Sequence, residues 1–309
     1  MTKALRACVF PGQGSQCVGM GQDLAAHFKE ARHVFEEVDE TLGYKLSQMM
    51  FEGPDDRLRQ TQHAQPALMA VSMAVVRTLE ANGASISSFA MAAGHSLGEF
   101  SALCAAGVLT LSETARLLDI RGRAMQEAVP EGGAMAAVIG LAEDQVARIP
   151  VSDSGAVCVI ANDNCRGQIV LSGHGQAVAE AGVWVKDQGA RFMPLKVSGP
   201  FHSPLMAPAA DTLKEALEAI SFKAPHIPII TNVSAQPQTD PLVLKAHLTQ
   251  QVTGRVRWRE TMETLATSGI QNVVEMGSGR VLSGLMKRQH PDIETLALSD
   301  HAYLTAFLE

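Results

Sequence analysis

The pentapeptide Gly94-His95-Ser96-Leu97-Gly98 fits the pattern G-x-S-x-G, in which a serine rides a sharp turn from a strand into a helix. Glycines flank the serine because such a turn leaves no room for Cβ atoms. The turn thrusts the Ser96 hydroxyl out at the carboxyl end of the strand. It also aims the Leu97 amide, at the helix N-terminus, where an oxyanion would form. An apolar segment over 88–93 precedes the motif and a helical segment over 99–106 follows it, which is the context this turn requires. The five residues alone also fit an ordinary Gly-Ser turn; their flanks favour a nucleophile and hence acyl transfer through a serine ester.

A serine nucleophile needs a base, and the chain has ten histidines. His95 adjoins Ser96, but neighbouring side chains diverge at such a turn. His27, His33 and His63 lie on polar stretches and read as solvated. His202, in Ser198-Gly199-Pro200-Phe201-His202-Ser203-Pro204, follows the strand expected over 191–197, and loops at the carboxyl ends of strands are where open α/β sheets place their sites. An acid is expected between serine and histidine in the chain. Asp144, Asp153, Asp163 and Asp187 lie there, but none follows a strand of the parallel sheet. Either something other than a carboxylate orients the histidine, or hydrolase-type chemistry is the wrong reading. The loop Pro11 to Gln16 offers further main-chain amides, although a plain strand–helix turn explains it equally well. Gly12-Gln13-Gly14-Ser15-Gln16-Cys17 lacks the last glycine of a dinucleotide fingerprint, and neither a P-loop nor an H-E-x-x-H helix is present.

These residues need a scaffold of alternating strands and helices. Ala4 to Phe10 reads as a buried strand. Helical patterns follow over Asp23 to Leu42, Pro66 to Glu80, Glu99 to Ala106 and Leu111 to Ala128. Past Pro130 the texture changes to strand 134–139, helix 142–149, strands 156–161 and 168–173, helix 176–188 and strand 191–197. That β-α-β-β-α-β order is the ferredoxin-like split unit. The earlier style then resumes with helix 208–220, strand 227–231, helices 240–250 and 259–267, strand 272–276, helix 281–288 and strand 294–298. The fold class is α/β: a large subdomain over 1–130 and 198–309 with a mostly parallel sheet, and a small ferredoxin-like subdomain inserted over 131–197.

Composition narrows the function classes. The 309 residues are 46% hydrophobic and 18% charged, which argues against disorder. A net charge of −7 disfavours nucleic acid and anionic membranes as partners. The longest stretch free of Asp, Glu, Lys and Arg, Ala81 to Gly98, carries Asn82, Gly83 and four serines, so no transmembrane helix is expected. The N-terminus shows no apolar signal core. Five cysteines, odd in number and without a C-x-x-C pair, point to a reducing cytoplasm rather than to disulfides or structural zinc.

Taken together, the motifs resemble the malonyl-CoA:acyl carrier protein transacylases over nearly the whole chain. Gly12-Gln13-Gly14-Ser15-Gln16 is similar to the family's N-terminal signature, Gly94-His95-Ser96-Leu97-Gly98-Glu99 to its serine motif, and Gly199-Pro200-Phe201-His202-Ser203 to its histidine motif. Arg121 stands 25 residues after the serine, at the spacing of the family's substrate arginine. The resemblance implies an α/β-hydrolase-like large subdomain, Ser96 as nucleophile, His202 as base, and the Gln13 and Leu97 amides as oxyanion hole. It also accounts for the absent acid, because the family orients its histidine with the main-chain carbonyl of a glutamine, here Gln251. The family's Asn-Pro before Val-x-Trp is replaced by Gly254-Arg255 before Val256-Arg257-Trp258. Arg121 would hold the malonyl carboxylate; without the resemblance it reads as a helix-surface residue paired with Asp119 or Glu127. Phe201 would stand beside malonyl C2 and limit branching.

The implied reaction is ping-pong transfer of malonyl from malonyl-CoA to the phosphopantetheine thiol of holo acyl carrier protein, with no metal and no other cofactor. The implied protein is a cytoplasmic monomer supplying fatty-acid synthesis. The alternatives are a discrete malonyltransferase of a polyketide pathway, a serine thioesterase, and a non-catalytic carrier-docking module. An acidic carrier calls for a basic face. Residues 251–290 supply Arg255, Arg257, Arg259, Arg280, Lys287 and Arg288 against Glu260, Glu263 and Glu275, or 6 − 3 = +3, with Lys186, Arg191 and Lys196 as possible additions.

Overall fold

The structure, a computed structural model, describes residues 4–129, 131–149, 155–197 and 199–309. Its strands are β1 (Arg6–Phe10), β2 (Met91–Gly94), β3 (Gly133–Ile139), β4 (Cys158–Cys165), β5 (Gln168–His174), β6 (Arg191–Pro194), β7 (Ile229–Ile230), β8 (Pro237–Gln238), β9 (Asn272–Met276) and β10 (Glu294–Leu298). One sheet runs β10-β9-β1-β2-β7-β8. Its pairs are parallel except for the short β8, which turns back against β7. A parallel sheet covered on both faces needs near-continuous apolar strands. Ala7 to Phe10 are accordingly buried, and Ala92 and Ala93 keep the next strand thin where helices pack closely. The helix Thr61–Ala81 runs through the main core with Leu68, Met69, Met73 and Val76 fully enclosed.

The second sheet is antiparallel throughout, in the order β4-β5-β3-β6. With the helices Glu143–Val146 and Gly175–Asp187 between its strands, it has the ferredoxin-like strand order. One of its ties to the rest of the chain runs through the segment 254–259. Val256 N–H donates to Ala161 O (2.8 Å), and Asp163 N–H donates to Val256 O (3.0 Å). Arg259 reaches Asp163 (2.8 Å) and Glu143 (2.7 Å), and Arg255 also pairs with Glu143.

Several elements differ from their sequence reading. The helix over 23–42 breaks at Phe28, whose extended φ of −123° separates Gln22–His27 from Lys29–Leu42. The helix of 142–149 shortens to Glu143–Val146, and the strand of 227–231 to Ile229–Ile230. Pro228, with no N–H, contributes only its carbonyl to the ladder, accepting from Ala92 N–H. Helices Leu46–Glu52, Asp55–Leu58 and His301–Leu308 carried too little periodicity to be anticipated. No described helix is long and apolar enough to cross a membrane.

Candidate active site

The site begins with a steric requirement. β1 and β2 pair in parallel with Phe10 opposite Gly94, so their carboxyl ends and the loops that follow lie side by side. A Cβ on Gly94 would come within 1.9 Å of the Gly98 backbone, and one on Gly98 within 2.2 Å of the Phe10 carbonyl oxygen. Only glycine fits either position. Between them Ser96 adopts φ 53° and ψ −110°, a conformation that L-residues rarely occupy and that persists only where its surroundings enforce it. Asn232, just beyond β7, does the enforcing. Its Oδ1 accepts from Ser96 N–H (2.7 Å) and its Nδ2 donates to Gly94 O (2.7 Å).

The structure brings Ser96 and His202 together, with Ser96 Oγ 2.8 Å from His202 Nε2. His202 Nδ1 faces two main-chain carbonyls, Gln251 O at 2.9 Å and Gly254 O at 3.1 Å. Carbonyls only accept, so Nδ1 carries the proton and Nε2 is left to accept from the serine hydroxyl. The neutral tautomer a base requires is thus set without a carboxylate. His202 also has a positive φ, 56°, which turns its ring toward the elbow. Burial, then the nearby Arg121 charge, pull the His202 pKa down to about 3, against the lesser opposing effect of the two carbonyls. The substitution of Arg255 near Gln251 leaves this arrangement in place, since Arg255 points to Glu143 instead.

Arg121 is enclosed, not a surface residue; Asp119 pairs with Arg123 and accepts from the Tyr44 hydroxyl. Its Nη1 donates to Gln65 Oε1 (2.6 Å), and its Nη2 to both Ser96 Oγ (3.1 Å) and Gln251 Oε1 (2.9 Å). Its Nε is buried with no partner. Burial lowers the guanidinium to about 10, still charged at neutral pH, with Glu99 opposing the fall. Gln251 therefore serves twice, its carbonyl holding His202 and its side chain holding Arg121. The same side-chain amide donates to Glu99 Oε2 (2.8 Å) and Ser96 O (3.0 Å).

A cavity of about 430 Å³ opens over these groups between the two sheets, lined by Gln13, Ser96, Arg121, Phe201 and His202 on one side and Asn162 and Val170 among others on the other. Leu97 lines it too, and among the described residues neither the Gln13 nor the Leu97 main-chain N–H donates elsewhere. Phe201 is 5% exposed beside His202. His95 turns away from Ser96, its Nε2 meeting Asn164 Oδ1 of β4 at 2.9 Å.

Sequence reasoning missed Gln65, Glu99, Asn232 and the side-chain role of Gln251. Asn232 had a usable signal, since it follows a strand at its carboxyl end. His63, read as solvated, is buried against Tyr44. The basic face shrinks as well: Arg255, Arg257 and Arg259 are paired with Glu143, Glu260 and Asp163, leaving Arg280, Lys287 and Arg288 exposed. Glu143 and Asp163 lie outside the 251–290 window, so local charge counting could not include them.

A parallel-sheet scaffold with a serine elbow, a carbonyl-held histidine and a buried arginine has the groups that acyl transfer through a serine ester requires. The acyl transferase domain model matches residues 7–296, and the chain belongs to that family. Over 298 residues it is 44% identical to the malonyl CoA-acyl carrier protein transacylase of Bacillus subtilis (strain 168), covering 95% of this chain and 93% of that one. The crystal structure of the acyl-carrier-protein-S-malonyltransferase from Bartonella henselae matches with TM-score 0.96 at 52% identity, covering 98% of each chain. A malonyl-transacylase in complex with its type II polyketide-synthase acyl-carrier protein matches with TM-score 0.95 at 41% identity, covering 99% of each.

Proposed function

We propose that the chain transfers malonyl groups from malonyl-CoA to the phosphopantetheine thiol of a holo acyl carrier protein of fatty-acid synthesis, through a malonyl ester on Ser96. One observation carries the choice of acyl group: the buried Arg121 guanidinium lies 3.1 Å from the nucleophilic oxygen and has an unpartnered Nε. A free carboxylate on the acyl chain supplies what that cation lacks.

His202 Nε2 takes the hydroxyl proton as Ser96 Oγ attacks the thioester carbonyl, and the resulting imidazolium is stabilised through Nδ1–H by Gln251 O and Gly254 O. The tetrahedral oxyanion accepts from the Gln13 and Leu97 amides. Collapse expels the CoA sulfur, which takes the proton from His202. The carrier thiol then gives its proton to His202 and attacks the ester, and Ser96 recovers its proton as malonyl leaves. Every step uses the chain's own groups, so metal and redox cofactors are not called for. The five cysteines, all free, fit a cytoplasmic setting. A thioesterase reading is weaker, because neutral esters give Arg121 no role.

Intact mass after mixing with malonyl-CoA tests the ester, and chase with holo carrier protein tests the transfer. Arg121→Ala should lose malonyl kcat/KM by several tens-fold or more and gain relative activity on acetyl-CoA, since truncating one partner of a buried charge pair costs about 2–5 kcal/mol. Arg121→Lys should recover little, one ammonium being unable to supply parallel donors. An unchanged malonyl-to-acetyl ratio in Arg121→Ala would mean that the carboxylate is read elsewhere.

The acidic carrier would meet the exposed Arg280, Lys287 and Arg288, of which Arg288 reaches Gln168 (2.7 Å), a residue lining the cavity. Reversing the charge of Lys287 and Arg288 together should raise KM for the carrier and leave KM for malonyl-CoA unchanged. Equal effects on both substrates would remove this docking face.

A further inference from the structure

Glu99 is wholly buried in the first turn of the helix Leu97–Ala105, yet it touches neither Ser96 Oγ nor His202. Its Oε2 accepts from Asn232 N–H (2.9 Å) and from the Gln251 side-chain amide (2.8 Å), while Oε1 is enclosed without a partner. The other end of that amide, Gln251 Oε1, accepts from Arg121 Nη2 at 2.9 Å. A single side chain thus links the buried cation to a buried anion. Among the described residues no carboxylate makes a direct ion pair with Arg121. We propose that Glu99 is the resident counter-charge of Arg121, coupled through the Gln251 amide, and that an arriving acyl carboxylate competes with it for the guanidinium. Glu99 is on this view a specificity-determining positioning residue. The inference rests on the malonyl reading above and adds to it what balances the charge of the buried guanidinium.

Coulomb repulsion gives the sign. Two carboxylates and one guanidinium in a dry site are less stable than one carboxylate and one guanidinium. Malonyl should therefore bind Arg121 better when Glu99 is neutral, whereas acetyl carries no charge and is indifferent. Burial pushes the Glu99 carboxyl up to about 7, against the lesser pull of Asn232 N–H, the Gln251 amide and Arg121. Glu99 thus changes charge within the range of an ordinary assay. The other titratable or charged groups around this cluster are Arg121 from the helix Leu111–Glu127, His202 from the loop after β6, and His95 at the elbow. Arg121 stays charged, and burial holds both histidines below their usual pKa.

The measurement is the ratio of acylation kcat/KM for malonyl-CoA to that for acetyl-CoA. Both thioesters use the same serine, base and oxyanion donors, so the ratio cancels whatever Glu99 does to those groups. In the wild type it should rise about fivefold or more as pH falls from about 8.5 to about 5.5. Glu99→Gln keeps an acceptor oxygen for Asn232 and Gln251 and removes the charge. Its ratio should sit at the high, low-pH value of the wild type at every pH. Arg121→Ala should give a low ratio at every pH. A wild-type ratio flat with pH, or a Glu99→Gln ratio equal to or below that of the wild type at about pH 8, would overturn the proposal while leaving malonyl transfer standing. The wild-type profile alone decides the matter should Glu99→Gln fail to fold. Failure of the wild type to gain the malonyl mass would instead overturn the function on which the proposal rests, and the proposal with it.

Discussion

Ser96→Ala should fold and yet never gain the malonyl mass. The variant removes one oxygen, the atom that would carry the proposed ester. Its main-chain partners stay, because Asn232 holds the N–H of residue 96 and the carbonyl of Gly94, and Gln251 holds the carbonyl of residue 96. The cost is the loss of partners for His202 Nε2 and for one Arg121 N–H, both facing a cavity that admits water. Alanine has the same Cβ and suffers the same strain at φ 53°. Ser96→Gly would relieve that strain, worth about 1–3 kcal/mol against the larger chain entropy that glycine loses. It should therefore melt no lower than Ser96→Ala and be equally inert. A malonyl adduct on Ser96→Ala at the wild-type rate would show that the nucleophile lies elsewhere.

His202→Ala should slow acylation by about 10²–10⁴-fold, the usual effect of losing a general base. Its pH behaviour is equally specific. An ordinary histidine loses its base form below about pH 6.5. With its pKa down to about 3, His202 remains neutral well below that. Acylation by acetyl-CoA, which does not report on the Arg121 charge, should then show no histidine-like fall between about pH 7 and about pH 5. A clear inflection near pH 6.5 would place the working base among the solvated histidines. The same shift bears on stability. An unfolded chain protonates this histidine below about 6.5 and the folded one does not, so its stabilising contribution, present above that pH, fades as pH falls. His63 and His95, also lowered by burial, act in the same direction.

Much of this site could be read one segment at a time. Gly94 and Gly98 reveal the elbow because the need to do without a Cβ is local to the turn. His202 could be singled out because it follows a strand, and strand ends show in the alternation of apolar runs and breaks. Arg121 was placed only by the family resemblance; read locally it looked like a surface arginine, because sequence spacing carries no information about burial. Local reading was least informative about charge: Arg255 and Arg259 looked like part of a basic face until Glu143 and Asp163 folded against them.

The sequence by itself determined the class of chemistry, the succession of strands and helices, and the serine and histidine that meet at 2.8 Å. These follow from short-range steric and periodic rules, which a few neighbouring residues satisfy alone. The resemblance already implied the Gln251 carbonyl beside His202; only the tertiary structure added the Gly254 carbonyl and decided how Arg121 and the Ser96 turn are held. Gln251 lies 130 residues from Arg121, and Asn232 136 residues from Ser96. Buried polar side chains are placed by whichever distant segment offers the complementary hydrogen-bonding group, since leaving them unpaired costs more than any local preference supplies. That complementarity is created when the segments pack, and no single stretch of the chain contains it.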